Sequence, residues 1–180
     1  MATRQLDIMK NRGNHEVGNL CSWDITTLPF GAKCAEDIDN FLLVELDFDA
    51  EGQRVCKTLT DVGNKAYLIA APENRMLGNV LTEELVDFYN GKDEFARIVV
   101  LEEMTRFESS AFSKNTGVTD IVNGMVAHFD PETKKYIVSS ASAPHADYAG
   151  SSVKFTVVGS EENTEFSLCG KEVVKLEVQE

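Results

Sequence analysis

The chain has 180 residues, 43% hydrophobic and 26% charged, with only 4 prolines. That balance excludes wholesale disorder, and a chain of this length buries about 70% of its unfolded surface, needing neither metal nor disulfide to fold. Seventeen Lys and Arg against thirty Asp and Glu leave a formal charge of −13, which phosphate backbones repel, so no nucleic-acid partner is expected.

The first residues, Met-Ala-Thr-Arg-Gln-Leu-Asp, carry no signal-peptide core, and synthesis in the cytosol is expected. No apolar run approaches the roughly 18 residues of a spanning helix, and no basic amphipathic helix is offered to an anionic surface, so no membrane partner is expected either. Arg4, Lys10 and Arg12 against Asp7 and Glu16 make residues 1–20 mildly basic, ahead of a strongly acidic body. Lys10 to His15 is polar and lacks an apolar period, which predicts an extended arm over residues 1–30. Within it, Leu20 to Phe30 regains apolar residues, includes the single Trp, and reads as a tethered strand or loop that docks on the body.

Over residues 31–180 the pattern is mostly strand. Phe41 to Phe48 and Gln53 to Leu59, separated by Asp49-Ala50-Glu51-Gly52, predict a β-hairpin. Lys65 to Ala71 is a further short strand stopped by Pro72. Asn79 to Asn90 predicts one short helix, because Leu81, Leu85, Phe88 and Tyr89 share a face and Asn90-Gly91 closes it. Phe95 to Leu101 is the most strand-like run of the chain. Val122 to Phe129 and Lys134 to Val138, joined by Asp130-Pro131-Glu132-Thr133, predict a second hairpin. Ser139 to Ser152 is a loop of small residues, and Lys154 to Val158 and Lys171 to Val178 are closing strands. The fold class is therefore α+β and mainly β: an antiparallel β-sandwich or barrel-like domain with one short helix and an extended N-terminal arm. The body reads either as one core or as two lobes, 31–117 and 118–180. Phe48-Asp49-x-Glu51 and Phe129-Asp130-x-Glu132 are alike, which turn chemistry alone produces.

Chemistry-bearing patterns are sparse. Cys21, Cys34, Cys56 and Cys169 lie far apart without a C-x-x-C pair, which predicts reduced thiols, mostly buried. Asp47-x-Asp49-x-Glu51-Gly52 matches the first half of a calcium loop, but the closing position is Thr58, so a solvated hairpin turn is expected. His15 falls in the arm. His128 shares the strand face of Val126 and reads as a half-exposed structural histidine. His145-Ala146-Asp147 puts two ligand types on one loop, but a metal site needs three or four and no third stands nearby in sequence. No Gly-x-Ser-x-Gly, phosphate cradle or converging carboxylate pair is present. No catalytic residue, cofactor or metal ligand is therefore assigned, and the chain is expected not to be an enzyme.

A likeness accompanies the order of segments from Phe95-Ala96-Arg97-Ile98-Val99-Val100-Leu101-Glu102-Glu103 and Arg106 to Phe112, through Val122 to Asp130 and Lys135 to Val138, to Lys154 to Val158 and Val173 to Val178. It resembles the head decoration, or cement, proteins of tailed bacteriophages, over about residues 41–180. The resemblance implies a non-enzymatic virion protein on the outer capsid surface that stabilises contacts between major capsid subunits. Its partners would be the major capsid protein and further copies of itself. By the same analogy, arms and loops bridge shell subunits, and Arg4, Arg12, Trp23 and Phe30 are the expected contacts. The alternatives are a tail or neck component, a ligand- or cation-binding β module using the Asp47–Glu51 turn, and a Cys–His enzyme built on Cys56 or Cys169.

Overall fold

The computed structural model describes residues 20, 25–72, 76–77, 80–81, 88–158 and 173–179. In chain order, β1 (Ala32–Cys34), β2 (Leu43–Phe48), β3 (Arg54–Thr58) and β4 (Tyr67–Ile69) are followed by a small antiparallel ribbon of β5 (Met76–Leu77) and β6 (Val80–Leu81). Then come β7 (Phe95–Ala96) and β8 (Ile98–Val99), and these two with β1 to β4 form a sheet of order β7-β1-β3-β2-β4-β8. Because β7 and β8 are one run interrupted at Arg97, the two ends of this sheet meet on either side of that residue, and it nearly closes as a barrel. Arg97 holds the junction: its Nε donates to the Ala70 carbonyl at 2.6 Å while its own carbonyl accepts from Ala70 N at 3.0 Å. Closure leaves few unpaired strand edges.

The second sheet contains β9 (Arg106–Ser109), β10 (Phe112–Lys114), β11 (Val126–Asp130), β12 (Lys135–Ser139), β13 (Phe155–Val157) and β14 (Val174–Val178), in the order β10-β12-β11-β13-β14-β9. Strand β14 shows why these segments are strands. In Val-Lys-Leu-Glu-Val the three apolar side chains are buried and the two charged ones half-exposed, the period of two that a pleated surface imposes. On the outer face Lys175 pairs with Glu108 at 3.1 Å and Arg106 with Glu177, both across the β14–β9 register.

Together the sheets make, roughly, a β-sandwich around one buried cluster that draws on both. Phe41 stacks on Phe107 at 6.3 Å, and Phe107, Phe129 and Phe155 pack edge-on or tilted around Tyr136 at 5.2 to 5.5 Å. The change of sheet falls between Val99 and Arg106.

Both predicted hairpins form, β2–β3 and β11–β12. Pairing is antiparallel except at β1–β3 and β10–β12, which are parallel. The helix expected over Asn79 to Asn90 is corrected at its start, where Val80–Leu81 is the return strand of the ribbon. Residues 82–87 of that helix lie outside the described residues. Of the arm, Leu20 is buried in the core, and residues 25–30 dock on β8: Thr27 bridges Val99, Leu28 N donates to Ile98 O at 3.0 Å, and Val100 N donates to Thr26 O at 2.9 Å.

Candidate functional site

The docked segment ends in a turn beside the point where the first sheet closes. Gly31 N donates to Leu28 O at 3.0 Å, Pro29 stands second, and Phe30 stands third with φ of 63°. A left-handed third residue after proline is the type II arrangement, which ordinarily takes Gly or Asn there. A phenylalanine in that conformation costs about 1–2 kcal/mol. It is 97% exposed, so burial among the described residues does not offset the cost. Gly31 follows, also left-handed at 65°, and a Cβ on it would stand 2.0 Å from the Ala96 carbonyl oxygen of β7.

A second turn repeats the pattern. Thr105 N donates to Glu102 O at 3.1 Å, and between them Met104 sits at φ 67° with its side chain 59% exposed. This turn is tied to the docked segment by Thr26 Oγ1, which donates to Glu102 Oε1 at 3.0 Å. Phe95, 58% exposed, faces the same register row as Lys33 of β1, and Lys33 pairs with Asp93 at 3.0 Å. Large apolar side chains at strained turn positions, with charged pairs near them, are chemically suited to covering by another protein surface.

Of the expected contact residues, Phe30 stands at this turn, whereas Arg4, Arg12 and Trp23 lie outside the described residues. Met104 carried no sequence signal, since nothing in Glu102-Glu103-Met104-Thr105 marks the third residue as left-handed.

The Asp47–Glu51 segment is the tip of the β2–β3 hairpin. Asp49 Oδ1 accepts from Glu51 N at 3.0 Å and Gln53 N at 2.8 Å, while Asp47 Oδ1 accepts from Phe48 N at 2.8 Å. Gly52 supplies the left-handed turn residue at φ 79°. Carboxylate oxygens here cap the turn. Cys34 and Cys56 are buried and adjacent, 3.8 Å between sulfurs, so the thiol beside Cys56 is another thiol. Cys21 and Cys169 lie outside the described residues.

The histidines require a correction. His128 is fully buried, not half-exposed, because the loop after β12 folds over the outer face of β11. The 3-10 turn Ala146–Tyr148 places His145 parallel to the His128 ring at 5.0 Å and 22°, with Tyr148 edge-on at 6.4 Å. Ser139 Oγ accepts from His145 N at 3.2 Å, and Tyr148 OH donates to Gln179 Oε1 at 2.8 Å, which fix the loop in place. The third ligand that the His145–Asp147 loop lacks in sequence is thus supplied by a neighbouring strand. His128, His145 and Asp147 each offer a ligand atom within 4.8 Å of the others. Burial, and then the neighbouring His145, hold His128 below the usual imidazole range, so it is neutral near pH 7. Neither of its ring nitrogens has a hydrogen-bond partner among the described residues. A buried group left so costs about 1–3 kcal/mol.

The family described as YonC prophage protein matches residues 11–179 of this chain. The SPbeta prophage-derived uncharacterized protein YonC of Bacillus subtilis (strain 168) is 54% identical over 182 residues, spanning 100% of this chain and 99% of that protein. No solved structure matches.

Proposed function

The chain belongs to the YonC prophage protein family, and on that premise we propose that this prophage protein is a non-enzymatic structural part of the virion head. In this reading it binds the outer capsid surface and bridges major capsid subunits. The observation that carries the proposal is Phe30: an exposed aromatic ring held in a left-handed backbone conformation that packing among the described residues does not reward. Covering such a ring with a partner returns about 1.5–3 kcal/mol of hydrophobic free energy, comparable to the backbone cost. Met104, on a turn of the same kind, extends the contact. The charge of −13 suits the outer face of a shell better than its DNA-facing lumen. Arg4, Arg12 and Trp23 of the N-terminal segment contact neighbouring subunits in this reading. Bound across a joint, the protein stabilises the assembled shell by mass action, since it binds the joined state and not the separated one.

The test is the copy number of this chain, by quantitative mass spectrometry, in particles purified after prophage induction. One copy per shell subunit, or per few, with Phe30→Asp folding normally but washing off particles, is the expected result. A copy number far below that moves the protein to tail or neck. Absence from particles overturns the virion reading.

A further inference from the structure

We propose that His128, His145 and Asp147 bind one divalent transition-metal ion of the zinc class, which fastens the loop after β12 to the outer face of β11. The inference is independent of the capsid reading. Two imidazoles and a carboxylate, completed by water, are a four-coordinate donor set of the kind zinc takes. Hard cations such as calcium and magnesium prefer all-oxygen sites, so imidazole selects against them.

Three observations converge. The ligand atoms already lie within 4.8 Å of one another, although they come from two separate elements. Around zinc, ligand atoms stand roughly 3.3–3.5 Å apart. The remaining closure falls on His145 and Asp147, whose side chains are half-buried and exposed, while His128 is held by the sheet. Next, His128 is a fully buried imidazole with no hydrogen-bond partner at either nitrogen among the described residues. Buried polar side chains are nearly always satisfied, and a metal bond would satisfy one of these two atoms. Finally, the surroundings are ordered before any ion arrives. Asp147 N donates to His145 Nδ1 at 3.4 Å, Asp147 Oδ2 stands 3.5 Å from the same nitrogen, and the Tyr148 ring walls the cluster from the side.

The test uses the full chain, stripped with EDTA and dialysed, then titrated with zinc(II) by calorimetry and followed by thermal unfolding. We expect about one zinc per chain and, at a hundredfold excess over Kd, a rise in Tm of about 5–10 °C. Cobalt(II) is expected to give the visible bands of a four- or five-coordinate ion, and calcium and magnesium no shift. His145→Ala and Asp147→Asn, at half-buried and exposed positions, should leave the metal-free Tm within about 1–2 °C while weakening zinc at least tenfold. His128→Phe keeps an aromatic ring, though a larger one, removes both orphan nitrogens, and should fold without binding zinc. If that variant fails to fold, the two loop variants decide. Failure to bind zinc at about 100 μM, a threshold of about 5.5 kcal/mol, overturns the proposal. So does stoichiometric binding that survives in the His145→Ala, Asp147→Asn double variant, which would place the ion elsewhere, for example at the thiols.

Discussion

The phenol of Tyr136 on β12 donates a 2.7 Å hydrogen bond to the backbone carbonyl of Phe41, ninety-five residues away and at the head of the first sheet. Phe41 is itself in left-handed conformation, φ 59°, with its N–H donated to Ile69 O at 2.8 Å and its ring stacked on Phe107. The bond therefore fixes a strained, buried residue at which the two sheets meet. Burial holds the phenol well above its ordinary pKa, so it stays a donor wherever the protein is folded. Tyr136→Phe keeps the ring packing and orphans the Phe41 carbonyl, which is expected to cost about 1–2 kcal/mol. In urea unfolding, the midpoint should fall with the slope unchanged. An unaltered midpoint would show that the bond contributes nothing net.

A backbone contact gives the next expectation. Gly31→Ala would place a Cβ 2.0 Å from the Ala96 carbonyl in a left-handed residue, so the Phe30 turn must open or β7 must leave β1. We expect a loss of about 2–4 kcal/mol. Hydrogen exchange should increase over residues 25–34 and 93–97. A change confined to global stability, with the same protection pattern, would contradict this assignment of the strain.

Glu45 on β2 is a polar hub. Its carboxylate accepts from Asn64 Nδ2 at 2.8 Å and Thr60 Oγ1 at 3.0 Å, and pairs with Lys57 at 2.9 Å. Burial alone would raise its pKa, but these partners win and bring it down to about 2 from 4.5. The folded value is depressed, so the stabilisation is fully present above about pH 4.5 and is lost as pH falls toward about 2. Because Lys57 is well exposed, solvent screens part of the effect. Glu45→Gln is expected to cost about 1–2 kcal/mol at pH 7. The difference from wild type should shrink steadily between pH 4.5 and 2 in denaturant titrations. A gap independent of pH would mean that shape, and not charge, sets the contribution.

What could be read from sequence divides along the range of the interaction responsible. Both hairpins were legible because their turns are local. Asp49 accepts from Glu51 N and Asp130 from Glu132 N, so the shared Phe-Asp-x-Glu pattern is the same turn chemistry used twice. The burial of Cys34 and Cys56 followed from their residue type. Illegible were features that depend on residues far apart: the parallel pairing of β1 with β3 and β10 with β12, and closure of the first sheet around Arg97. The same holds for His128. Its alternation with Ala127 and Phe129 correctly placed it on the outer face, but nothing local shows that a loop of small residues will cover that face. At Val80–Leu81 the apolar helical period was outweighed by pairing with Met76–Leu77.

The paired thiols give the last expectation. Cys34 and Cys56 are directly opposed on parallel strands, both buried, with Cys56 Sγ donating to Cys34 Sγ at 3.8 Å. The contact with Cys56 and burial push the Cys34 thiol up, far from the thiolate form that reacts. The two side chains are also closed off from reagent by burial, so iodoacetamide at pH 8 should leave both unmodified in the native protein, and peptide mapping after brief labelling should find neither. Added urea should expose the two together, since the strand pair that buries them must open as a unit. Rapid native labelling of Cys56 with Cys34 protected would show instead that the first sheet opens at β3, and would return a reactive-cysteine reading to contention.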